Sequence, residues 1–169
     1  MSLVERQPTP ISEVTIREFL PGDEDAFYKL SEEWIARYFY IEPKDEKTLR
    51  DPQRTILDVG GKIYFATVGE RCVGCCALLP MSNNEFEIAK VAVTESYQER
   101  GIGRKLMVAA IEAGRNAGAR RLYLECNHTL TSAMRLYLAV GFKHLPPDRV
   151  TPSPYERSDV YMEMMFEER

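Results

Sequence analysis

Sixteen residues near the middle of the chain, KVAVTESYQERGIGRK from Lys90 to Lys105, combine the end of a strand, a turn and two glycines that open a long helix. Free backbone N–H groups at such a helix start, together with the positive end of its dipole, bind phosphate, and glycine lets an anion come close to the main chain. Arg100, Arg104 and Lys105 add three cations at that end. They oppose the helix dipole, and an anionic ligand would resolve the conflict. Two familiar phosphate loops are excluded. Gly101 and Gly103 lack the Gly-Lys-Ser/Thr ending of a nucleoside-triphosphate loop, and the third glycine of a dinucleotide fingerprint is replaced by Leu106. The other chemistry-bearing spacing is Cys72-x-x-Cys75, but no second pair follows, and His128 and His144 have no ligand spacing to it. Val73 and the Cys75–Leu79 run make these cysteines small hydrophobes on a buried strand.

The elements that must position this loop are legible from periodicity. Val14–Leu20 alternates as a strand closed by Pro21-Gly22, and Asp23 opens a helix with Phe27, Leu30, Trp34, Ile35 and Tyr38 on one face. The spacing predicts a weaker helix from Lys47 to Asp58. Strands follow at Ile63–Val68, Cys72–Leu79 and Glu85–Val93, then a helix from Arg100 to Ala117 ended by Gly118. Leu122 and Leu124 mark a strand from Arg121 to Cys126. Thr129 or Thr131 would cap a short helix to Val140, apolar almost all round and so expected to be buried. Short strands at Phe142–Leu145 and Asp159–Phe166 flank a Pro-rich loop, Pro146–Ser158. The order predicts one α/β domain over residues 13–169, a mixed sheet of six to seven strands flanked by four helices, after an arm of residues 1–12. Met1 to Leu3 have the composition of an expression remnant.

Composition limits the classes of function. The chain has 169 residues, 44% hydrophobic and 28% charged, and a net charge of −4. That disfavours a nucleic-acid binder, which needs a cationic face. No apolar run approaches the roughly 18 residues of a membrane span, and no secretory signal is visible, so the expected location is cytoplasmic. No metal requirement is indicated.

In this setting the run YQERGIGRKLM resembles the pyrophosphate-binding motif Q/R-x-x-G-x-G/A of the GCN5-related N-acetyltransferase (GNAT) superfamily, here Gln98, Gly101 and Gly103. The preceding EIAKVAV strand and the later LYLECN…SAMRLYLAVGF segment follow in family order and spacing. The resemblance implies acetyl-coenzyme A as co-substrate. Backbone amides of Gln98, Glu99, Arg100, Gly101, Ile102, Gly103 and Arg104 would wrap its pyrophosphate. The main chain of Val91, Ala92 and Val93 would pair with its pantetheine arm like an added strand. Asn127 would hydrogen-bond the pantetheine or order the site, and Ala133 would line it. The implied reaction is direct acetyl transfer to a primary amine, of a small metabolite first and of a peptide or protein second; a non-catalytic acyl-CoA-binding module is the different-class alternative. Relatives frequently form homodimers, and nothing in the sequence decides whether this chain does.

Direct transfer needs a base for the amine and a proton for the departing thiolate. Glu87 alternates with Ala89, Val91 and Val93 on a central strand, where burial would raise its pKa toward that of a base; Glu85 shares the face and competes. Tyr137 stands in the A-x-x-x-Y-x-x-x-G-F pattern of Ala133, Tyr137, Gly141 and Phe142, whose tyrosine in the family protonates the sulfur. Acceptor contacts are expected from Trp34, Tyr38 and Arg157. Glu33 or Glu42 could hold a cationic amine, whereas Arg149 or Arg157 could hold a carboxylate, so these residues point to opposite substrates. Cys126 beside His128 makes no nucleophile–base set on a strand, which argues against a covalent acetyl-cysteine.

Overall fold

The computed structural model of the chain describes residues 13–167; the predicted arm of residues 1–12 lies outside the described residues. Seven strands form one sheet in the order β1-β2-β3-β4-β5-β7-β6. They are β1 (Thr15–Glu18), β2 (Lys62–Val68), β3 (Arg71–Pro80), β4 (Glu85–Val93), β5 (Arg121–Cys126), β6 (Lys143–His144) and β7 (Val160–Met165). Only β4 and β5 pair in parallel; all other pairings are antiparallel. Helices α1 (Glu24–Tyr38) and α2 (Pro43–Arg50) cover one face, and α3 (Ile102–Asn116) and α4 (Thr131–Val140) the other. The predicted α/β architecture, a mixed sheet of six to seven strands flanked by four helices, agrees with the seven strands and four α-helices among the described residues.

Each face has its own apolar core. Phe27, Leu30 and Ile35 of α1 and Leu49 of α2 pack on Phe65, Cys75 and Ala77. Leu106, Met107 and Ala110 of α3 pack on Ile88, Leu122, Leu124 and Met162. Burying a Phe or Leu side chain contributes about 1.5–3 kcal/mol, so these two layers hold the sheet between them. Cys75 and Cys76 are fully buried and all four cysteines are free thiols, as the packing reading of Cys72-x-x-Cys75 expects.

Three local expectations are corrected. The helix predicted from Lys47 to Asp58 starts earlier and breaks in two. Pro43 opens α2 behind its N-cap Glu42, whose N–H Asp45 accepts at 2.9 Å in a capping box, and Asp51 before Pro52 separates α2 from a single π-turn at Gln53–Leu57. No threonine caps α4. Its N-cap is Leu130, because the Asn127 carboxamide oxygen takes both the N–H and the hydroxyl of Thr129, at 2.9 and 2.6 Å. Nor is α4 buried all round: Tyr137 is buried, while Leu138 on the outer face is 46% exposed.

The arrangement that matters most is where β4 and β5 part. Their register pairs run from Glu85↔Arg121 to Glu87↔Tyr123 and stop there. Beyond that point β4 carries an extra residue against β3: Cys75 pairs with Ala92 but Ala77 pairs with Ala89. Lys90 stands in this bulge with φ +54°, the left-handed region that non-glycine residues rarely adopt. The bulge turns β4 away from β5 and leaves a strand edge open in the middle of the sheet.

Candidate active site

A groove of about 530 Å³ opens between the diverging strands. One wall is Val91, Ala92 and Val93 with the loop entering α3; the other is the start of α4, including Ala133 and Tyr137. The loop has left-handed residues at Glu99 (φ +62°) and Gly101 (φ +77°), a conformation that turns successive N–H groups toward one side. Gly101 is the N-cap of α3 and supplies no side-chain cap, so the first-turn N–H groups remain for a ligand. A Cβ on Gly103 would stand 3.2 Å from Leu136, so glycine there allows α4 to lie close beside the loop.

The structure brings together most of the residues predicted to hold a cofactor. Val91, Ala92, Val93, Gln98, Glu99, Gly101, Ile102, Gly103, Arg104, Ala133 and Tyr137 all line the groove. The Gln98 side-chain amide donates to Val93 O at 2.9 Å and ties the loop to the strand end. Arg100 instead lays its guanidinium 5.0 Å from the Tyr97 ring centre. Asn127 lies in the neighbouring chamber and has both amide ends engaged, donating to Arg157 O at 2.8 Å as well as holding Thr129. It orders the site.

That chamber, about 120 Å³, continues the groove toward α1 and α2. The two spaces meet at Trp34, Val91, Ala92, Leu130 and Tyr137. Tyr137 is buried, its hydroxyl has no protein partner among the described residues, and burial pushes its pKa up, so the phenol stays protonated at neutral pH. Glu87 lines the chamber. Burial first, then the nearby Glu125 carboxylate, raise its pKa to about 7 against the opposing pull of Lys44 and Lys90. Its rival Glu85 sits where β4 and β5 are still paired and is held by Arg120 and Arg121 at 3.0 and 3.1 Å.

The acceptor predictions divide. Trp34 lines both spaces and Arg157 lines the chamber, whereas Tyr38 is on the groove and not in the chamber. Glu33 binds Thr94 and the Glu95 N–H, locking α1 to the end of β4. Arg149 is taken up by Glu163 at 2.6 Å, away from both spaces. Cys126 has its pKa raised by burial to about 11, which keeps it a thiol, and His128 pairs with Asp159 at the surface.

Sequence reading missed a buried ionic cluster. Asp45, with no exposed surface, binds Lys90 at 2.5 Å and both terminal nitrogens of Arg157 at 2.6 Å; Glu42 adds a contact to Arg157 at 3.1 Å. The cluster fastens the 146–158 loop over the chamber, helped by Glu156 N–H to Glu42 at 2.9 Å and by Tyr40 donating to Glu156. The one available signal was Lys90, a charge inside the apolar run of β4. Glu125 was also missed; it accepts hydrogen bonds from Tyr123 and Ser153 at 2.9 and 2.5 Å.

Among the described residues no cluster of His, Cys, Asp and Glu could hold a metal ion, and no helix is long and apolar enough to cross a membrane. Comparison with known proteins matches residues 27–142 to the acetyltransferase (GNAT) family. A curated relative, the uncharacterized N-acetyltransferase YvbK of Bacillus subtilis, is 32% identical over 98 residues, 56% of this chain and 63% of that one. The stretches matched in this and other curated relatives span less than two thirds of their lengths. Among solved structures, a GNAT-family acetyltransferase from Staphylococcus aureus Mu50 superposes with a TM-score of 0.82 at 19% identity, covering 91% of this chain and 99% of that one. A Bacillus subtilis acetyltransferase in complex with CoA gives 0.69 at 22% identity, covering 92% and 100%. A groove with a left-handed, glycine-containing loop at the parting of β4 and β5, and a family match over most of the domain, lead to one conclusion: this chain belongs to the GNAT acetyltransferase family.

Proposed function

We propose that the protein is an acetyl-CoA-dependent N-acetyltransferase that moves the acetyl group directly to the primary amine of a small metabolite. The observation that carries this reading is the junction at Tyr137. There a groove with a backbone phosphate cradle runs into a chamber that holds a carboxylate with a pKa near neutrality. The cradle fits a pyrophosphate, and the open edge of β4 offers main-chain groups to an extended pantetheine arm. Acetyl-CoA supplies the activated acyl group as a thioester.

Glu87 takes a proton from the acceptor ammonium, and the freed amine nitrogen forms a bond to the thioester carbonyl carbon. The C–S bond then breaks as Tyr137 gives its hydroxyl proton to the departing sulfur; the second proton still on the acylated nitrogen restores the phenol, and Glu87 returns its proton to solvent. Positioned acid–base groups of this kind contribute about 10²–10⁴-fold each. A buried thiol at Cys126 supports transfer without an acetyl-enzyme. The loop fastened over the chamber by Tyr155, Glu156 and Arg157 supports a small acceptor over a peptide lying in an open groove.

The test is thermal unfolding with acetyl-CoA, with NADH and ATP as controls, followed by mass-spectrometric detection of acetylated amines. Ligand at ~100 times its dissociation constant stabilises by about 2.7 kcal/mol, a rise of roughly 5–10 °C for this size. A rise with acetyl-CoA alone and acetylation of a small amine are expected. Stabilisation with no transfer to any amine would favour a non-catalytic acyl-CoA-binding module; no stabilisation would remove the reading.

A further inference from the structure

The charges around the chamber are unevenly satisfied. Its two buried cations are already neutralised: Lys90 by Asp45, Arg157 by Asp45 and Glu42. Asp45 is fully buried and Glu42 nearly so. A substrate carboxylate reaching for either cation would have to displace one of these carboxylates and leave it buried and unpaired, which is strongly unfavourable. Lys44 also lines the chamber, but it is exposed, lies 4.8 Å from the Tyr155 ring centre, and its field already acts on Glu87.

The two acids that face the chamber stand differently. Glu87 makes no side-chain hydrogen bond to a described residue. Glu125 accepts from two neutral hydroxyls, Tyr123 and Ser153, and has no ion pair among the described residues. Trp34, Phe39 and Tyr155 supply aromatic walls, which suit both an apolar chain and an ammonium.

We propose that the chamber selects alkyl and arylalkyl amines that carry no carboxylate beside the amino group, and that Glu125 anchors the ammonium which Glu87 deprotonates. The proposal rests on the transferase reading above and narrows it. A cation between Glu87 and Glu125 relieves their mutual repulsion, whereas the carboxylate of an α-amino acid would add a third negative charge to them. Like charges placed together at a recognition site are strongly disfavoured, so a discrimination of about ten- to a hundredfold is expected.

The experiment compares matched pairs that differ by the carboxylate: tyramine with tyrosine, phenethylamine with phenylalanine, and butylamine with norvaline. Tyrosinamide serves as a control that keeps the bulk and removes the charge, and an N-terminal peptide is added as a macromolecular acceptor. Acetyl transfer is read by mass spectrometry and by release of free thiol. The expected result is a kcat/KM at least tenfold higher for each amine than for its amino acid, with tyrosinamide close to tyramine. Glu125→Gln should raise KM for tyramine about tenfold, more than it lowers kcat, and leave acetyl-CoA binding within twofold. Asp45→Asn should narrow the amine-to-amino-acid ratio by partly releasing Arg157; the native protein's ratios stand alone if that variant does not fold. Equal or better use of the amino acids would overturn the proposal and leave the transferase reading standing; transfer to the peptide alone would overturn the proposal and the small-acceptor part of that reading. Transfer to none of the acceptors by protein that binds acetyl-CoA would overturn both.

Discussion

The groove and the chamber share Tyr137 and are built on opposite principles. The groove is made mostly of main chain: a strand edge left open by a bulge, two left-handed residues and the uncapped start of α3. The chamber is made of side chains from several separate helices, strands and loops, and its character comes from which charges are paired and which are not. A site of backbone is tolerant of side-chain change and specific for shape. A site of paired charges changes its chemistry with a single substitution. The difference predicts that variants sort into those that alter rate or acceptor choice and those that alter donor affinity.

The sharpest way to break that division is Tyr137→Phe. It keeps the ring that fills the junction and removes the proton donor, so kcat should fall by about 10²–10³ while acetyl-CoA affinity is retained. A variant with native turnover would remove the acid from the account. Next is Glu87→Gln, expected to cost about 10² in kcat/KM at pH 7.5. In the native enzyme Glu87 must be ionised to act, so kcat/KM should rise with pH to a plateau above an apparent pKa of about 7, and the variant should lose that limb.

The same carboxyl gives a stability prediction of opposite sign. Its pKa is raised on folding from the ordinary 4.5 to about 7, so the folded state holds a proton that the unfolded state has lost across this window. Stability therefore falls as pH rises from about 4.5 to 7, and Glu87→Gln should be more stable than the native protein at pH 8, by on the order of 2–3 kcal/mol. At pH 4 denaturant midpoints of the two should coincide. Asp45→Ala acts the other way. It strands Lys90 and Arg157 in a buried cluster and should destabilise by about 3–5 kcal/mol, read as a Tm lower by roughly 10 °C. The smallest effect belongs to the groove. Gly101→Ala meets no neighbour but must hold φ +77°, at about 1–2 kcal/mol, and should weaken acetyl-CoA binding by up to about tenfold with kcat unchanged.

The same contrast explains what could be read in advance. The groove's main-chain wall lies in one continuous segment, where a strand, a turn and a glycine-opened helix leave a local pattern, and β4 from Glu85 to Val93 was legible to the residue. The chamber's do not. Asp45 is one acid among several in a polar helix, and nothing near it in sequence says that it will be buried against Lys90 and Arg157, 45 and 112 residues away. Arg149 and Arg157 looked alike as candidates; tertiary pairing with Glu163 removed the first and brought the second over the chamber. The bulge at Lys90 was unreadable for the same reason, since it is a mismatch between two strands and not a property of either.

The most direct test of the division between donor groove and reacting junction is calorimetric titration of acetyl-CoA into the native protein, Tyr137→Phe and Glu87→Gln, with turnover measured on the same samples. Dissociation constants within about twofold of one another are expected, with turnover that collapses in both variants. Failure of the native protein to bind acetyl-CoA, or variants that bind and still turn over at the native rate, would contradict that division.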